Sequence, residues 1–209
     1  MIGYFLLALL SAAVRSNASA EAPSVNKFTY LIALASIITA LGVRSILSGF
    51  AWIVTCRRQV KPYALHIIGA LLVLLLQIDF WWGSFSKRLV NEWRFQYLLL
   101  FLLTPILYYL VAELLFPSRA AAEISFHDHY WANFRWFYGI AAVIQANNIL
   151  VNRLMPTDGP SLVPNVIRIS ALCFLLTMVI VKSARVHAWL YIALVSLFVT
   201  FVTLLYPRV

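Results

Sequence analysis

Arg44, His66, Asp79, Glu113, Gln145, Asn148, Asn152 and Arg168 all fall inside runs that are otherwise apolar. A charged side chain in hydrocarbon is costly. Such residues therefore face the interior of a helical bundle, pair with one another, or mark a path or a site. Four of them carry a full charge. Arg44 lies well inside the first long run, Asp79 near the end of the second, Glu113 near the end of the third and Arg168 near the start of the fifth. Helices that alternate in direction bring Arg44 and Glu113 to one half of the membrane, and Asp79 and Arg168 to the other. The expected pairs are Arg44–Glu113, with the arginine stem snorkelling about one turn, and Asp79–Arg168. Each pair could simply neutralise charge in a medium of low dielectric constant, or take part in conduction.

The fourth run carries a polar stripe. Tyr138, Gln145, Asn148 and Asn152 recur at helical spacing, with Ala141 between them and Asn147 beside them. Such a face cannot point at lipid. It either lines a water-filled path or binds the bundle together through interhelical hydrogen bonds. Ser170, Cys173 and Thr177 in the fifth run, and Ser196, Thr200 and Thr203 in the sixth, are small polar residues of the kind that pack helices. His66 opens the second run, with Gln77 on the same face three turns later. It could ligate haem or a metal only if a second ligand came close. His127 and His129 flank Asp128 in the connection before the fourth run and could grip a metal from an extended segment. No third ligand is evident, so neither metal nor cofactor is expected. Cys56 and Cys173 sit at different depths, which argues against a disulfide.

Signatures of enzymatic chemistry are missing. The sequence has no GxSxG, no HExxH and no Walker A glycine loop. It offers one membrane aspartate where an aspartyl protease needs two, and no deep lysine for a Schiff base. Arg44 stands alone, unlike the arginine ladder of a voltage sensor.

These residues must be held by elements that dissolve in lipid. The 209 residues are 63% hydrophobic, with a mean hydropathy of +0.89 and 11% charged, against roughly 45–50% apolar and 25% charged in soluble domains. A chain this small has too much surface to hide that excess inside. A spanning helix needs about 20 apolar residues. Six segments qualify: Phe28–Thr55, Tyr63–Trp82, Phe95–Phe116, Trp136–Leu154, Val163–Val181 and Val186–Tyr206. The expected fold is all-α, an integral membrane bundle of about six transmembrane helices. Pro62, Pro117, Pro156, Pro164 and Pro207 punctuate it, and Pro105 should kink the third helix. Residues 1–27 form a separate N-terminal apolar segment, apolar from Met1 to Val14 and followed by Arg15 and Ala18-Ser19-Ala20. It is either a cleaved signal peptide or an interfacial helix. Residues 28–209 form the transmembrane domain.

The net charge of +9 sits mostly at the ends of the runs, as at Arg57-Arg58 and Lys87-Arg88, where it suits lipid headgroups rather than nucleic acid. Lys and Arg outside the spans divide evenly between the two faces. Loss of the first 20 residues would tip the balance toward a cytoplasmic Arg57 and Arg58. Aromatic residues such as Trp81, Trp82, Trp93, Tyr130 and Trp136 gather at the ends of runs, as an interfacial belt does.

Three stretches carry a resemblance: Leu74-Leu-Leu-Gln77-Ile-Asp79-Phe-Trp-Trp82, Leu114-Leu-Phe-Pro117 and Asn133-Phe-Arg135-Trp-Phe-Tyr138-Gly. Over about residues 30–140 the chain resembles a family of small multi-pass bacterial inner-membrane proteins with no assigned activity. The resemblance implies that setting and transfers no functional residue. The residues themselves suggest a non-enzymatic path or regulator for a small solute or ion, lined by Gln145, Asn148 and Asn152, with Arg44 and Glu113 near one mouth. One alternative is an accessory subunit of a membrane complex. Another is a lipid- or quinone-handling enzyme built on Asp79, His66 and the Trp81/Trp82 pair. The expected partners are membrane lipids and either further copies of the chain or another membrane protein.

Overall fold

The computed structural model describes residues 27–90, 93–117, 124–155 and 162–205. The N-terminal apolar segment, Lys27 apart, lies outside the described residues. Six long helices make up nearly all of the rest: α1 (Lys27–Thr55), α2 (Ala64–Gly83), α3 (Phe95–Leu115), α4 (Phe126–Leu154), α5 (Leu162–Ile180) and α6 (Ala184–Leu205). A 3-10 turn over Ser84–Leu89 extends α2. Four stretches are long and apolar enough to cross a membrane: Phe28–Thr55, Ala64–Leu89, Phe95–Leu115 and Ala184–Leu204. α4 falls outside that group because it carries the polar stripe. α5 does so because its described apolar stretch, Asn165–Ile180, is shorter.

The fourth helix begins at Phe126, ten residues before the expected start. Ser125 caps it by accepting from the Asp128 backbone N–H at 3.3 Å. His127, Asp128 and His129 thus form a first helical turn rather than an extended connection. At helical spacing i and i+2 point to different sides. His127 meets the Asp128 carboxylate at 3.0 Å, whereas His129 reaches the Leu114 carbonyl at 2.9 Å. His127 and the Ser125 hydroxyl hold the Asp128 carboxyl below its ordinary range. No group of three metal-binding side chains occurs among the described residues, and Cys56 and Cys173 are both free.

Neighbouring helices pack in the order α1, α3, α4, α5, α6, and α2 closes the ring by touching α6, α1 and α3. Two short strands tie one end together. Val60–Lys61 (β1) pairs in parallel with Ile124–Ser125 (β2), joining the α1–α2 loop to the start of α4. Above them sits an apolar cluster of Leu72, Phe134, Phe137, Met178 and Leu194. A second cluster, including Ile46, Ala70, Val111, Ala112 and Ile144, joins α1 through α4.

Small residues set how closely these helices approach, as is usual where packing replaces the hydrophobic drive between helices in lipid. A side chain at Gly69 would run into the Tyr191 hydroxyl, and one at Gly42 into the Gln77 amide. Gly69→Ala should therefore lower stability by about 1–3 kcal/mol, the usual range for overpacking. Removing the obstructing hydroxyl in a Tyr191→Phe background should recover most of that loss. Thermal unfolding of the single and double variants in mild detergent checks both, and equal losses in the two backgrounds would contradict the contact.

Candidate functional site

The polar residues of the membrane segments converge at two opposite ends of the bundle. The larger site is a chamber of about 480 Å³. Its walls come mainly from the C-terminal halves of α2, α4 and α6, the N-terminal halves of α3 and α5, and the 3-10 turn, and reach inward to Leu72, Val111 and Leu175. That combination is what antiparallel neighbours bring to one end. Of the residues singled out in the sequence, Asp79, Gln145, Asn148, Asn152 and Arg168 all line it. Asp79 and Arg168, expected as a pair, thus share one chamber.

The stripe on α4 divides between interhelical hydrogen bonds and the wall of the chamber. Asn147, 6% exposed, donates to the Leu100 carbonyl at 2.8 Å and to the Thr104 hydroxyl at 2.9 Å. These bonds fall on the turn of α3 just before Pro105, where the helical ladder is broken. The carbonyl that Pro105 leaves without its helical donor is that of Phe101, so the Asn147 bonds reinforce this turn rather than replace the lost one. Asn147 therefore acts as glue. One position further on, Asn148 faces the chamber and accepts from the Thr104 hydroxyl at 3.0 Å. Asn152 donates to the Asn148 carbonyl at 2.8 Å, and Gln145 donates to the Arg168 carbonyl at 3.0 Å. Tyr138 leaves the stripe for a different network, described below.

Lys87 is the chamber residue that sequence reasoning missed. Its place beside Arg88 at the end of an apolar run suggested a headgroup contact. Instead it is 6% exposed and turns inward. Its ammonium donates to Asn152 Oδ1 at 3.1 Å and to the Met155 carbonyl at 2.9 Å. The 3-10 turn explains this. With three residues per turn, Ser84 and Lys87 lie on one face and are both buried, whereas Phe85 and Arg88 point outward. Arg168 lies with its guanidinium 5.2 Å from the centre of the Phe201 ring, against the chamber wall. The remaining lining is largely apolar and includes Leu72, Leu76, Leu175, Leu194 and Phe198.

Arg44 and Glu113 do not reach this chamber. Both are exposed on the outer faces of α1 and α3, in the other half of the bundle. The Glu113 carboxylate takes a hydrogen bond from Ser45, the residue next to Arg44, so the expected Arg44–Glu113 pair gives way to a serine contact. His66 is also remote. It starts α2 while Asp79 lies near that helix's end, about 20 Å along the axis at 1.5 Å per residue. Of the tryptophan pair, Trp82 lines the chamber, but Trp81 donates outward to Ser36 at 2.9 Å. The constellation of Asp79, His66, Trp81 and Trp82 is thus split between places.

The second polar site lies at the strand-tied end. His66 is 1% exposed and encased by Phe116, Phe126, Tyr130 and Phe137, with the His129 ring centre 5.8 Å away. Beside it runs a row of hydrogen bonds. Tyr138 donates to Tyr191 at 2.8 Å, Tyr138 and Tyr130 meet at 2.6 Å, Tyr130 meets His187 Nδ1 at 2.5 Å, and His187 Nε2 bonds the Val181 carbonyl at 2.7 Å. This row ties α4 to α6 and to the end of α5. Tyr130 read as part of an interfacial belt, and His187 gave no signal because its partners are distant in sequence.

No known family, curated protein or solved structure matches the chain.

Asn147→Leu should leave the chamber lining intact but remove two interhelical bonds at the proline turn. Bonds of this kind are worth about 0.6 kcal/mol each on average in membrane proteins, so a loss of about 1 kcal/mol is expected. Unfolding in mild detergent measures it. A variant as stable as the parent would remove Asn147 from its role as glue.

Proposed function

We propose that the chain is a six-span, non-enzymatic protein of a bacterial inner membrane that binds a small amphipathic solute in the chamber between α2 and α6. The chamber's division into two halves carries this reading. Asp79, Lys87, Asn148, Asn152 and Arg168 supply one polar region, whereas Leu72, Leu175, Leu194 and Phe198 supply an apolar wall. A volume of about 480 Å³ falls within the range of small-molecule pockets, which combine apolar walls with a few well-placed polar groups. A path for a bare ion calls for polar groups along its whole length, so the apolar wall favours an organic solute. The polar groups engage in holding one another and the backbone, which suits binding more than bond-breaking.

Six spans are supported by where α4 and α5 sit. α4 packs between α3 and α5, and α5 packs between α4 and α6. The polar stripe of α4 is therefore turned to protein, and the helix can cross without presenting it to lipid. The outer faces carry large apolar side chains such as Phe95, Trp136, Ile180 and Trp189, each about two-thirds exposed or more, as lipid contact requires. The bacterial inner-membrane setting rests on the resemblance of the aromatic and apolar stretches described above.

Ala171 lines the chamber, and Ala171→Trp would fill part of it. Native mass spectra of the protein released from nanodiscs should carry a small-molecule adduct that the Ala171→Trp variant loses. A parent protein that arrives bare, and that retains no added amphiphile, would count decisively against the chamber reading.

A further inference from the structure

We propose that the outer face of α1, with the neighbouring edge of α3, is the contact surface for a second copy of this chain, Arg44 of each copy pairing with Glu113 of the partner subunit. The surface lies apart from the chamber, to which α1 contributes no lining residue. The proposal therefore stands independently of what the chamber holds.

The first observation is the position of Arg44. It is exposed on α1, about 17 Å from the end of that helix at Thr55 and about 25 Å from its start at Lys27, at 1.5 Å per residue. A hydrocarbon layer about 30 Å thick, centred on so long a helix, leaves the residue about 10 Å inside the nearer boundary. An arginine stem snorkels roughly one turn, about 5 Å. Its Cα–Cβ bond also tilts toward the helix N-terminus, away from that boundary. Among the described residues no hydrogen bond, ion pair or ring contact engages Arg44. A guanidinium turned outward at this depth is costly, and a protein surface that carries a carboxylate relieves the cost.

The second observation is a counter-charge at the same depth. Glu113 is exposed on α3, and its carboxylate accepts from the Ser45 hydroxyl. That contact sets Glu113 level with Ser45, the residue after Arg44, so the two charges lie at nearly one depth. A carboxylate accepts about four hydrogen bonds. Ser45 fills one of these places, and a guanidinium can take others as a bidentate pair. A face that carries one cation and one anion at one level is complementary to itself. A two-fold axis along the membrane normal keeps both copies in the same orientation and every residue at its own depth. Each Arg44 then meets Glu113 of the partner subunit, the reciprocity of an isologous contact.

The third observation is shape. Ile37, Ala40, Arg44, Leu47, Ala51 and Val54 are all exposed on α1 and recur at alternating steps of three and four residues. That is the period of a helix–helix seam. Ala40 and Ala51 flank Arg44 one step and two steps away, and small side chains let a second backbone come close.

The test is self-association of the full protein, labelled with donor and acceptor fluorophores, followed by energy transfer as vesicles of zwitterionic lipid are diluted with excess lipid. The parent should dimerise. Arg44→Glu and Glu113→Arg each bring like charges together and should weaken self-association by about a hundredfold or more, the scale of a broken buried pair. Mixed with each other, the two variants re-create an opposite pair at both contacts and should associate nearly as tightly as the parent. That mixture is also the folding control, since misfolded chains would not form it. Arg44→Leu, which disturbs no contact among the described residues, should weaken association by about tenfold or more. A parent that stays monomeric leaves this face to another partner and overturns the proposal. So does a dimer whose affinity Arg44→Leu leaves unchanged. Arg44→Glu and Glu113→Arg variants that unfold at the parent's temperature, yet associate no better mixed than alone, overturn the pairing as well.

Discussion

Hydrocarbon cannot hydrogen-bond, so every polar group carried into it must find a partner inside the protein. Among the six helices described, α4 carries the most polar side chains. Gln145, Asn147, Asn148 and Asn152 crowd its last three turns, and Tyr130 and Tyr138 its first half. The arrangement of the other helices answers that need. α3 meets it with Thr104 and the Leu100 carbonyl, α5 with the Arg168 carbonyl, and α6 with His187 and Tyr191. The remaining partner comes from the turn after α2, whose 3-10 winding carries Lys87 inward to Asn152. α1 takes no part in these bonds. It lies on the outside of α3, and it packs through its own Ile46, through Gly49 against Phe116 and through Gly42 against Gln77, with serine contacts to Glu113 and Trp81.

The two polar sites differ in kind because their partners differ. At the strand-tied end Tyr191, Tyr138, Tyr130 and His187 satisfy one another in a row, and aromatic rings pack around them. That end is a polar core with no comparable chamber among the described residues. At the other end the side chains are held by backbone carbonyls and by one another around a space they leave open. Interlocked donors and acceptors explain how the space persists. Asn148 is oriented through Thr104 and Asn147 by a carbonyl of α3, so its amide has one favourable orientation.

Much of this architecture could be read from the residues. The six apolar runs became six helices whose ends, the start of α4 apart, lie within a few residues of those expected, because lipid solubility and proline both act locally. The stripe on α4 and the joint location of Asp79 and Arg168 also followed, since helical period and alternating direction fix face and depth. Four features needed three dimensions. The early start of α4 depended on a serine cap and on Phe126 packing beneath Trp52 and His66. Lys87 turned inward because the chain took three residues per turn where an α-helix would have ended. Glu113 found Ser45 rather than Arg44, because consecutive residues of α1 point about 100° apart and the packing turns Ser45 to α3. The Tyr130–His187 contact joins residues 57 positions apart, and nothing local announces it.

The parallel pairing of Val60 with Ile124 and Lys61 with Ser125 is small, but its position matters. It fastens two interhelical connections to each other by main-chain bonds, at the end farthest from the open space. The tyrosine–histidine row and its aromatic filling stiffen that same end. Among the described residues, the opposite ends of α2 and α4 are joined to each other by the Lys87 side chain, through Asn152 and the Met155 carbonyl. The molecule is built like a pair of forceps, with its rivet at the strands and its tips at Asp79 and Asn152, so a widening at the tips requires little displacement at the rivet.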